Sequence, residues 1–131
     1  MKLINRDTDY AVRALCVIAR EGGRLVSVTR LVKGLKIPRP FLRKILQVLN
    51  KKGILKSRKG KRGGFRLNFS LEKILLTDLI EAFQGPLRLN ECIFKKKICP
   101  DRGACVLRMR ISAIEEYVVS ELKAITLASL V

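Results

Sequence analysis

The sequence predicts a mainly α-helical fold with a small β wing, in which a winged helix-turn-helix precedes a long helix. Three observations indicate this fold. Apolar residues recur at helical spacing in four stretches, a basic glycine-rich turn separates two short alternating segments, and most of the positive charge lies in the first half of the chain. We therefore predict a winged helix-turn-helix domain at residues 1–75 and a second part at residues 76–131.

The first two helices are delimited by residues that favour helix ends. Apolar side chains recur at helical spacing after Thr8 or Asp9, either of which we predict as the N-cap, and the pattern stops at Gly22 and Gly23. A shorter apolar pattern begins after Ser27, another residue type that caps helices. The sequence thus predicts one longer helix followed by a short one.

The third helix is the best marked of the three. Pro40 suits a first helical turn, and Gly53 follows the last residues as a terminator. We predict an apolar face made of Phe41, Ile45, Val48 and Leu49. The opposite face carries Arg39, Arg43, Lys44, Gln47 and Lys51. With the turn at residues 34–38, the second and third helices have the proportions of a helix-turn-helix, so Arg39, Arg43 and Lys44 are predicted to enter a DNA major groove.

A hairpin follows this helix. Residues 54–58 and 65–69 flank the turn at residues 59–64, and apolar and polar residues alternate in the second segment. The basic side chains of this wing are Arg58, Lys59, Lys61 and Arg62. Because glycines let the backbone turn tightly and approach phosphate closely, we predict that the wing contacts the DNA backbone or minor groove. A merely solvated basic turn is the alternative.

The charge distribution indicates the partner. The chain has 28 Lys and Arg residues against 11 Asp and Glu, and 20 of the basic residues lie in residues 1–75. No acidic residue stands between Glu21 and Glu72. Such a concentration of positive charge is relieved by a polyanion, which predicts double-stranded DNA as the partner.

Other features exclude several classes of protein. No apolar run reaches the roughly 18 residues of a membrane span, and the charged N-terminus does not resemble a signal peptide, so we expect a cytoplasmic protein without a membrane partner. His is absent, and neither the GxxxxGK[ST] phosphate loop nor the GxSxG elbow occurs. We therefore predict that the chain is not an enzyme and takes no small-molecule substrate.

The second part of the chain is predicted to hold a loop and a long helix. A helix capped by Thr77 ends at Gly85, a loop follows at residues 86–105, and a long helix then covers about residues 105–122, with a tail that packs back. One stripe of this helix consists of Leu107, Ile111, Ile114 and Val118. It fits either a seam between two copies or an ordinary core-facing stripe. Because a winged helix needs a second copy to read a two-fold operator, we favour a homodimer.

Three cysteines lie in the predicted loop: Cys92, Cys99 and Cys105. Thiolates are soft ligands that suit iron–sulfur clusters, zinc or copper(I), and the adjacent lysines at residues 95–97 favour the deprotonated form. Cys16, on the apolar face of the first helix, is predicted to be a core residue. Since His is absent, a fourth ligand would be a carboxylate, Cys16, solvent or a small molecule. Spacing alone does not separate zinc from an iron–sulfur cluster.

Several segments together resemble a known family. They are Tyr10–Ala14, Gly53–Leu55 leading into Arg58–Leu67, Ile80–Pro86 and the three loop cysteines. These segments resemble the winged-helix regulator family that includes the iron–sulfur cluster regulator IscR, the nitric-oxide-sensitive repressor NsrR and the cysteine-metabolism repressor CymR. The resemblance implies a homodimeric DNA-binding repressor. It also implies a 4Fe–4S or 2Fe–2S cluster on Cys92, Cys99 and Cys105 that senses nitric oxide, redox state or iron.

The fourth ligand distinguishes branches of that family. The branch like the cluster regulator places a His three residues after the last cysteine, where this chain has Arg108. The nitric-oxide-sensing branch, to which the motifs are closest, uses an Asp near the N-terminus of the partner subunit. The resemblance therefore implies Asp9 as the fourth ligand, with Asp7 as a further candidate and an N-cap as the other role of Asp9. The alternative functions are a cluster-free regulator controlled by a partner protein and a zinc-stabilised RNA-binding module.

Overall fold

The computed structural model describes residues 2–89 and 105–131 of the chain. Within these ranges the helices are α1 (Arg6–Arg20), α2 (Val28–Leu35), α3 (Arg39–Lys51), α4 (Leu76–Gln84) and α5 (Val106–Lys123). The strands are β1 (Leu55–Arg58) and β2 (Gly64–Leu67), and short 3-10 turns occur at Leu71–Lys73 and Leu127–Leu130. The predicted mainly helical fold with a two-stranded wing is confirmed.

The start of α1 lies earlier than the sequence predicts. Asn5, rather than Thr8 or Asp9, is the N-cap, and its side-chain oxygen accepts a hydrogen bond of 2.8 Å from the backbone N–H of Thr8. Thr8 is fully buried inside the helix, where its hydroxyl has a different partner. Asp9 lies in the first helical turn, where a carboxylate is stabilised by the helix dipole.

The turn between α2 and α3 is shorter than the predicted residues 34–38, because Gly34 and Leu35 still belong to α2. The Ser27 hydroxyl caps α2 by accepting the N–H of Arg30 at 3.2 Å. The helix ends at Lys36, which adopts a left-handed conformation with φ of 55° and donates its N–H to the carbonyl of Val32 at 3.0 Å. Because Pro40 stands in the first turn of α3, where a missing N–H costs nothing, the third helix begins directly after this turn.

The apolar face predicted for α3 was partly wrong. The buried side chains are Leu42, Ile45, Leu46 and Leu49. They follow the i, i+3, i+4, i+7 spacing that places residues on one helical stripe. Phe41 is 43% exposed and Val48 is only partly buried, since both lie at one edge of this stripe. The outward face is therefore centred on the basic residues of α3.

The hairpin is anchored to the helical layer. Strands β1 and β2 pair antiparallel, with Leu55 opposite Leu67 and Arg58 opposite Gly64. Phe65 also exchanges two backbone hydrogen bonds of 2.9 Å with Val26, the residue before the cap of α2. The strands are shorter than residues 54–58 and 65–69, and Phe69 lies beyond β2. Strand β2 of the wing is thus hydrogen-bonded to β1 on one side and to Val26 on the other.

The contact between β2 and Val26 leaves no room for a side chain at Gly64. A Cβ atom there would overlap the carbonyl oxygen of Val26 and lie 2.6 Å from its carbon. We expect Gly64→Ala to lower the free energy of unfolding by about 1–3 kcal/mol, because overpacking forces the backbone to shift.

Urea unfolding of the two matched variants Gly64→Ala and Gly34→Ala measures this effect. Gly34 lies inside α2 with open space around it, so Gly34→Ala should leave stability unchanged or raise it by about 0.5–1 kcal/mol. Equal losses in both variants would show that the tight approach at Val26 does not exist.

The core extends through both parts of the chain. Ala14 and Leu15 of α1 pack in one cluster with Leu46 of α3, Leu79 of α4 and Leu127 of the last 3-10 turn. The tail returns to the start of α4 through hydrogen bonds from the N–H of Leu127 to the carbonyl of Ile74 and from the N–H of Leu76 to the carbonyl of Ile125. The C-terminal residues are therefore built into the same core as the helix-turn-helix.

The predicted cap of α4 was also wrong. The helix begins at Leu76, so Thr77 lies inside its first turn. Asp78 takes the capping role, because its carboxylate accepts the N–H of Leu75 at 3.2 Å.

None of the helices in residues 2–89 and 105–131 combines the length and apolar character that a membrane span requires.

Candidate nucleic-acid interface and cysteine segment

The outward face of α3 is basic and free of acid. Arg43, Lys44, Gln47 and Lys51 are all exposed, opposite the buried leucines. The helix contains no Asp or Glu. In the described ranges, ion pairs join Arg13 to Asp9 and Arg30 to Glu21, so none of these α3 side chains is neutralised by a carboxylate. The face combines unpaired cations with one amide.

Arg39 differs from the other basic residues of α3 because its side chain is held by a hydrogen bond to another helix. Its Nη2 donates a hydrogen bond of 3.1 Å to the Thr29 hydroxyl of α2. This contact joins the first turn of α2 to the first turn of α3 and fixes Arg39 at the edge of the outward face. A guanidinium at that position suits a phosphate rather than a base, because phosphate contacts mainly set the orientation of a protein on DNA.

The start of α1 also contacts the first turn of α3. The guanidinium carbon of Arg6 lies 4.9 Å from the centre of the Phe41 ring, within the range of a cation–π contact. Phe41 therefore lies on the outer surface beside Arg6. The sequence had placed it on the buried apolar face of α3. The first turn of α1 and the first turn of α3 are directly coupled.

The four basic residues of the wing are exposed. Arg58 ends β1, and Lys59, Lys61 and Arg62 lie in the turn before β2. The turn is closed by a hydrogen bond of 3.0 Å from the N–H of Gly63 to the carbonyl of Gly60. Since β1 follows α3 and packs on it, the wing lies next to α3.

Cys105 is the one predicted cluster ligand within the described residues; Cys92 and Cys99 lie outside them. Cys105 is the N-cap of α5, where its Sγ accepts the N–H of Arg108 at 3.5 Å. It is partly exposed, and it forms no disulfide within the described residues. A cysteine sulfur at this partly exposed position is accessible to a metal.

Asp9 is engaged in an ion pair. Its Oδ2 lies 2.8 Å from the Nε of Arg13, one turn further along α1. The hydrogen bond and charge of Asp9 raise the pKa of Arg13. The Asp9 side chain is 48% exposed, so it faces solvent in the single chain. Within residues 2–89 and 105–131, no three side chains of Cys, Asp or Glu converge on one point.

Gln84 is a site residue that sequence reasoning missed. Its Oε1 accepts the N–H of Asn5 at 2.9 Å and the hydroxyl of Thr8 at 2.7 Å, while its Nε2 donates to the carbonyl of Leu3 at 3.3 Å. Gln84 is the last residue of α4, immediately before the cysteine-containing segment. Because Thr8 and Gln84 are 76 positions apart, no local pattern pointed to this contact.

Cys16 has the structural role that its position on α1 predicts. It is buried in the core, and its Sγ lies 3.9 Å from the carbonyl oxygen of Leu130. Burial raises the pKa of the Cys16 thiol, with a smaller opposite effect from Arg20. The thiol form is therefore favoured over the thiolate that a metal requires.

Helix α5 has one packed side and one open side. Leu122 is buried against Leu76 and Ile80, and Val118 packs on the same cluster. The open side includes Val106, Leu107, Met109, Ile114 and Tyr117, which are 52% to 69% exposed. The predicted stripe is therefore divided, since Leu107 and Ile114 face outward while Ile111 and Val118 are half-buried.

A family model supports a regulatory role. The model for Rrf2, described as an iron-dependent transcriptional regulator, matches residues 4–131. A protein of Aquifex aeolicus named as an HTH-type transcriptional regulator is 33% identical over 124 residues, which cover 93% of this chain and 86% of that protein. Protein aau3 of Rhizobium meliloti is 30% identical over 105 residues, which cover 79% of this chain and 68% of that protein.

Solved structures share the fold. CymR of B. subtilis, the global cysteine regulator, has a TM-score of 0.79 and 23% identity, and the match covers 99% of this chain and 96% of CymR. IscR of T. potens has a TM-score of 0.67 and 26% identity, and the match covers 99% of this chain and 85% of IscR. Both are similar to this chain over nearly its whole length, including the helix-turn-helix and the wing.

Proposed function

The chain belongs to the Rrf2 family of transcriptional regulators, and from this premise we propose that it is a homodimeric repressor that binds double-stranded DNA and is controlled by an iron–sulfur cluster. It is a regulator and not an enzyme. The observation that carries the proposal is the continuous basic surface formed by α3 and the wing, which contains no acidic residue.

The positions of α3 and the wing support the proposed binding of duplex DNA. A recognition helix enters the major groove with its N-terminal part, and Arg39, Arg43 and Lys44 lie in the first two turns of α3. Arg43 would reach base edges, whereas Arg39 and Lys44 suit phosphates. The wing carries Arg58, Lys59, Lys61 and Arg62 beside this helix. These side chains would contact phosphates or the adjacent minor groove, so that α3 and the wing hold one half-site together.

The open side of α5 is the surface that we propose for the second copy. Large apolar side chains rarely remain exposed together on a helix unless another surface covers them. Val106, Met109 and Tyr117 recur at helical spacing on this side and are each at least 65% exposed. Two chains packed through α5 would present two α3 helices to a two-fold operator, with half-sites about one DNA turn apart.

The proposed cluster is held by Cys92, Cys99 and Cys105, with Asp9 of the partner subunit as the proposed fourth ligand. Cys105 fits this role because its sulfur is partly exposed at the start of α5. Asp9 would exchange its ion pair with Arg13 for iron. A bound 4Fe–4S or 2Fe–2S cluster would supply sensitivity to iron supply, redox state or nitric oxide.

A series of contacts leads from the end of α4, the helix that precedes the cysteine segment in the chain, to the recognition helix. Gln84 stands directly before that segment and holds the start of α1 through Asn5 and Thr8. The same turn of α1 carries Arg6, which packs on Phe41 of α3. A change in the cysteine segment would shift the start of α1 and so the edge of α3. Allosteric coupling of about 1–3 kcal/mol gives a 5- to 150-fold change in DNA affinity.

Removal of the cluster tests this control directly. We expect protein purified without oxygen to contain iron and sulfide, and we expect its affinity for operator DNA to change about 5- to 150-fold when the cluster is removed. In a variant with Cys92, Cys99 and Cys105 replaced by Ser, the affinity should no longer depend on iron. Fluorescence anisotropy with labelled duplex, together with iron and sulfide analysis, provides the measurements.

Cys16→Ala is the matched control, because it removes a cysteine that the core buries. It should keep both the iron content and the change in affinity. Protein that holds zinc but neither iron nor sulfide contradicts the cluster. An operator affinity that is identical with and without the three loop cysteines would favour a regulator controlled by a partner protein.

A further inference from the structure

We infer that the operator half-site contains a guanine contacted by Arg43 and an adenine contacted by Gln47, an inference that rests on the proposed binding of duplex DNA. Both side chains are exposed on α3 and lie four residues apart. Residues with this spacing are neighbours on one helix face. The buried Leu42 and Leu46 lie on the other side of the helix, so Arg43 and Gln47 point away from the core together.

The chemistry of the two side chains selects the bases. The planar guanidinium of Arg43 presents two parallel N–H donors, which match the O6 and N7 acceptors of guanine in the major groove. The amide of Gln47 has one donor and one acceptor side, which match N7 and the N6 amino group of adenine. Lys44 lies on the same helix but is a point charge without this fork, which suits phosphate.

Arg43 is free for this contact, whereas its neighbours are engaged. In the part of the chain that the structure describes, no carboxylate lies within ion-pair distance of Arg43. Arg39 donates to Thr29, and Phe41 is covered on one face by Arg6. Four residues of helix rise about 6 Å, or about two base-pair steps of roughly 3.4 Å. The guanine and the adenine should therefore lie within about two base pairs of each other.

Selection from a randomised duplex pool tests the assignment. The wild-type protein should enrich a motif in which one guanine and one nearby adenine appear in both half-sites. Arg43→Ala should lose discrimination by about 5- to 150-fold at the guanine alone. Gln47→Ala should lose discrimination at the adenine alone. Arg43→Lys keeps the charge and so should preserve the salt dependence of binding while losing the guanine preference.

Lys59→Ala is the matched control for a general loss of affinity. Lys59 lies on the wing, so its removal should weaken binding to every sequence and leave the enriched motif unchanged. An Arg43→Ala protein that folds, as judged by circular dichroism, and still enriches the same guanine would overturn the inference while leaving DNA binding intact. Wild-type protein that enriches no duplex would overturn both the inference and the proposed function.

Discussion

Raising the salt concentration from about 50 to 200 mM is expected to weaken binding to duplex DNA by about 10³- to 10⁵-fold, if a dimer neutralises about 6–10 phosphates. The reason is the release of counterions when Lys and Arg replace them on the DNA backbone. Each chain offers the exposed wing residues and Lys44 for this purpose, and the described part of the molecule provides no carboxylate near them. Anisotropy titrations at several salt concentrations measure the effect.

The salt dependence of the affinity, measured in wild-type and variant proteins, identifies the side chains that neutralise phosphates. The logarithm of the affinity should fall with the logarithm of the salt concentration by about 0.9 for each phosphate neutralised. Arg62→Ala should reduce this slope by about one per subunit. Lys123→Ala, at the exposed end of α5, is the control and should leave the slope unchanged. Binding that does not respond to salt would refute the proposed interface.

Truncating Leu46 on α3 is expected to lower the free energy of unfolding by about 2–5 kcal/mol. Leu46 is completely buried in the main core cluster, so Leu46→Ala loses apolar burial and leaves a cavity. Phe41→Ala, on the same helix, should cost about 1 kcal/mol or less, because Phe41 is 43% exposed and its contact with Arg6 is weak. Urea unfolding monitored by circular dichroism measures both.

This pair of variants separates two descriptions of α3. The sequence pattern predicts a buried Phe41, and the structure buries Leu46 instead. If Phe41→Ala were as destabilising as Leu46→Ala, α3 would have to be rotated from its position in the structure. The basic residues of α3 would then no longer form its outward face, and the proposed DNA contact would fail with it.

Helical spacing and glycine positions were enough to predict the order of the elements. The amphipathic pattern of α3 and the glycine-rich turn of the wing are local signals that burial later reinforces. The exact starts of α1 and α4 were not predictable in this way. Thr8 and Thr77 are good N-caps by residue type, but the Thr8 hydroxyl is used by Gln84, and α4 starts where Leu76 pairs with Ile125.

The candidate site is predictable only in part for the same reason. Exposure of Arg43 and Lys44 follows from the period of α3, and exposure of the wing follows from its composition. The contacts of Arg39 with Thr29 and of Arg6 with Phe41 depend on how helices pack, which spacing does not encode. The pairing of Asp9 with Arg13 is local, at i and i+4, yet the sequence pattern allowed several roles for Asp9.

Helix α5 contacts the rest of the chain mainly along its second half, where the Glu115 carboxylate accepts the N–H of Leu89 at 3.0 Å. Leu122 anchors its final turn, while Val106 and Leu107 near its first turn are largely exposed. Its 18 residues extend about 27 Å, at about 1.5 Å per residue. The helix is therefore fixed at its final turn and, through Glu115, near its middle, while its first turns, which follow Cys105, extend beyond this packed part.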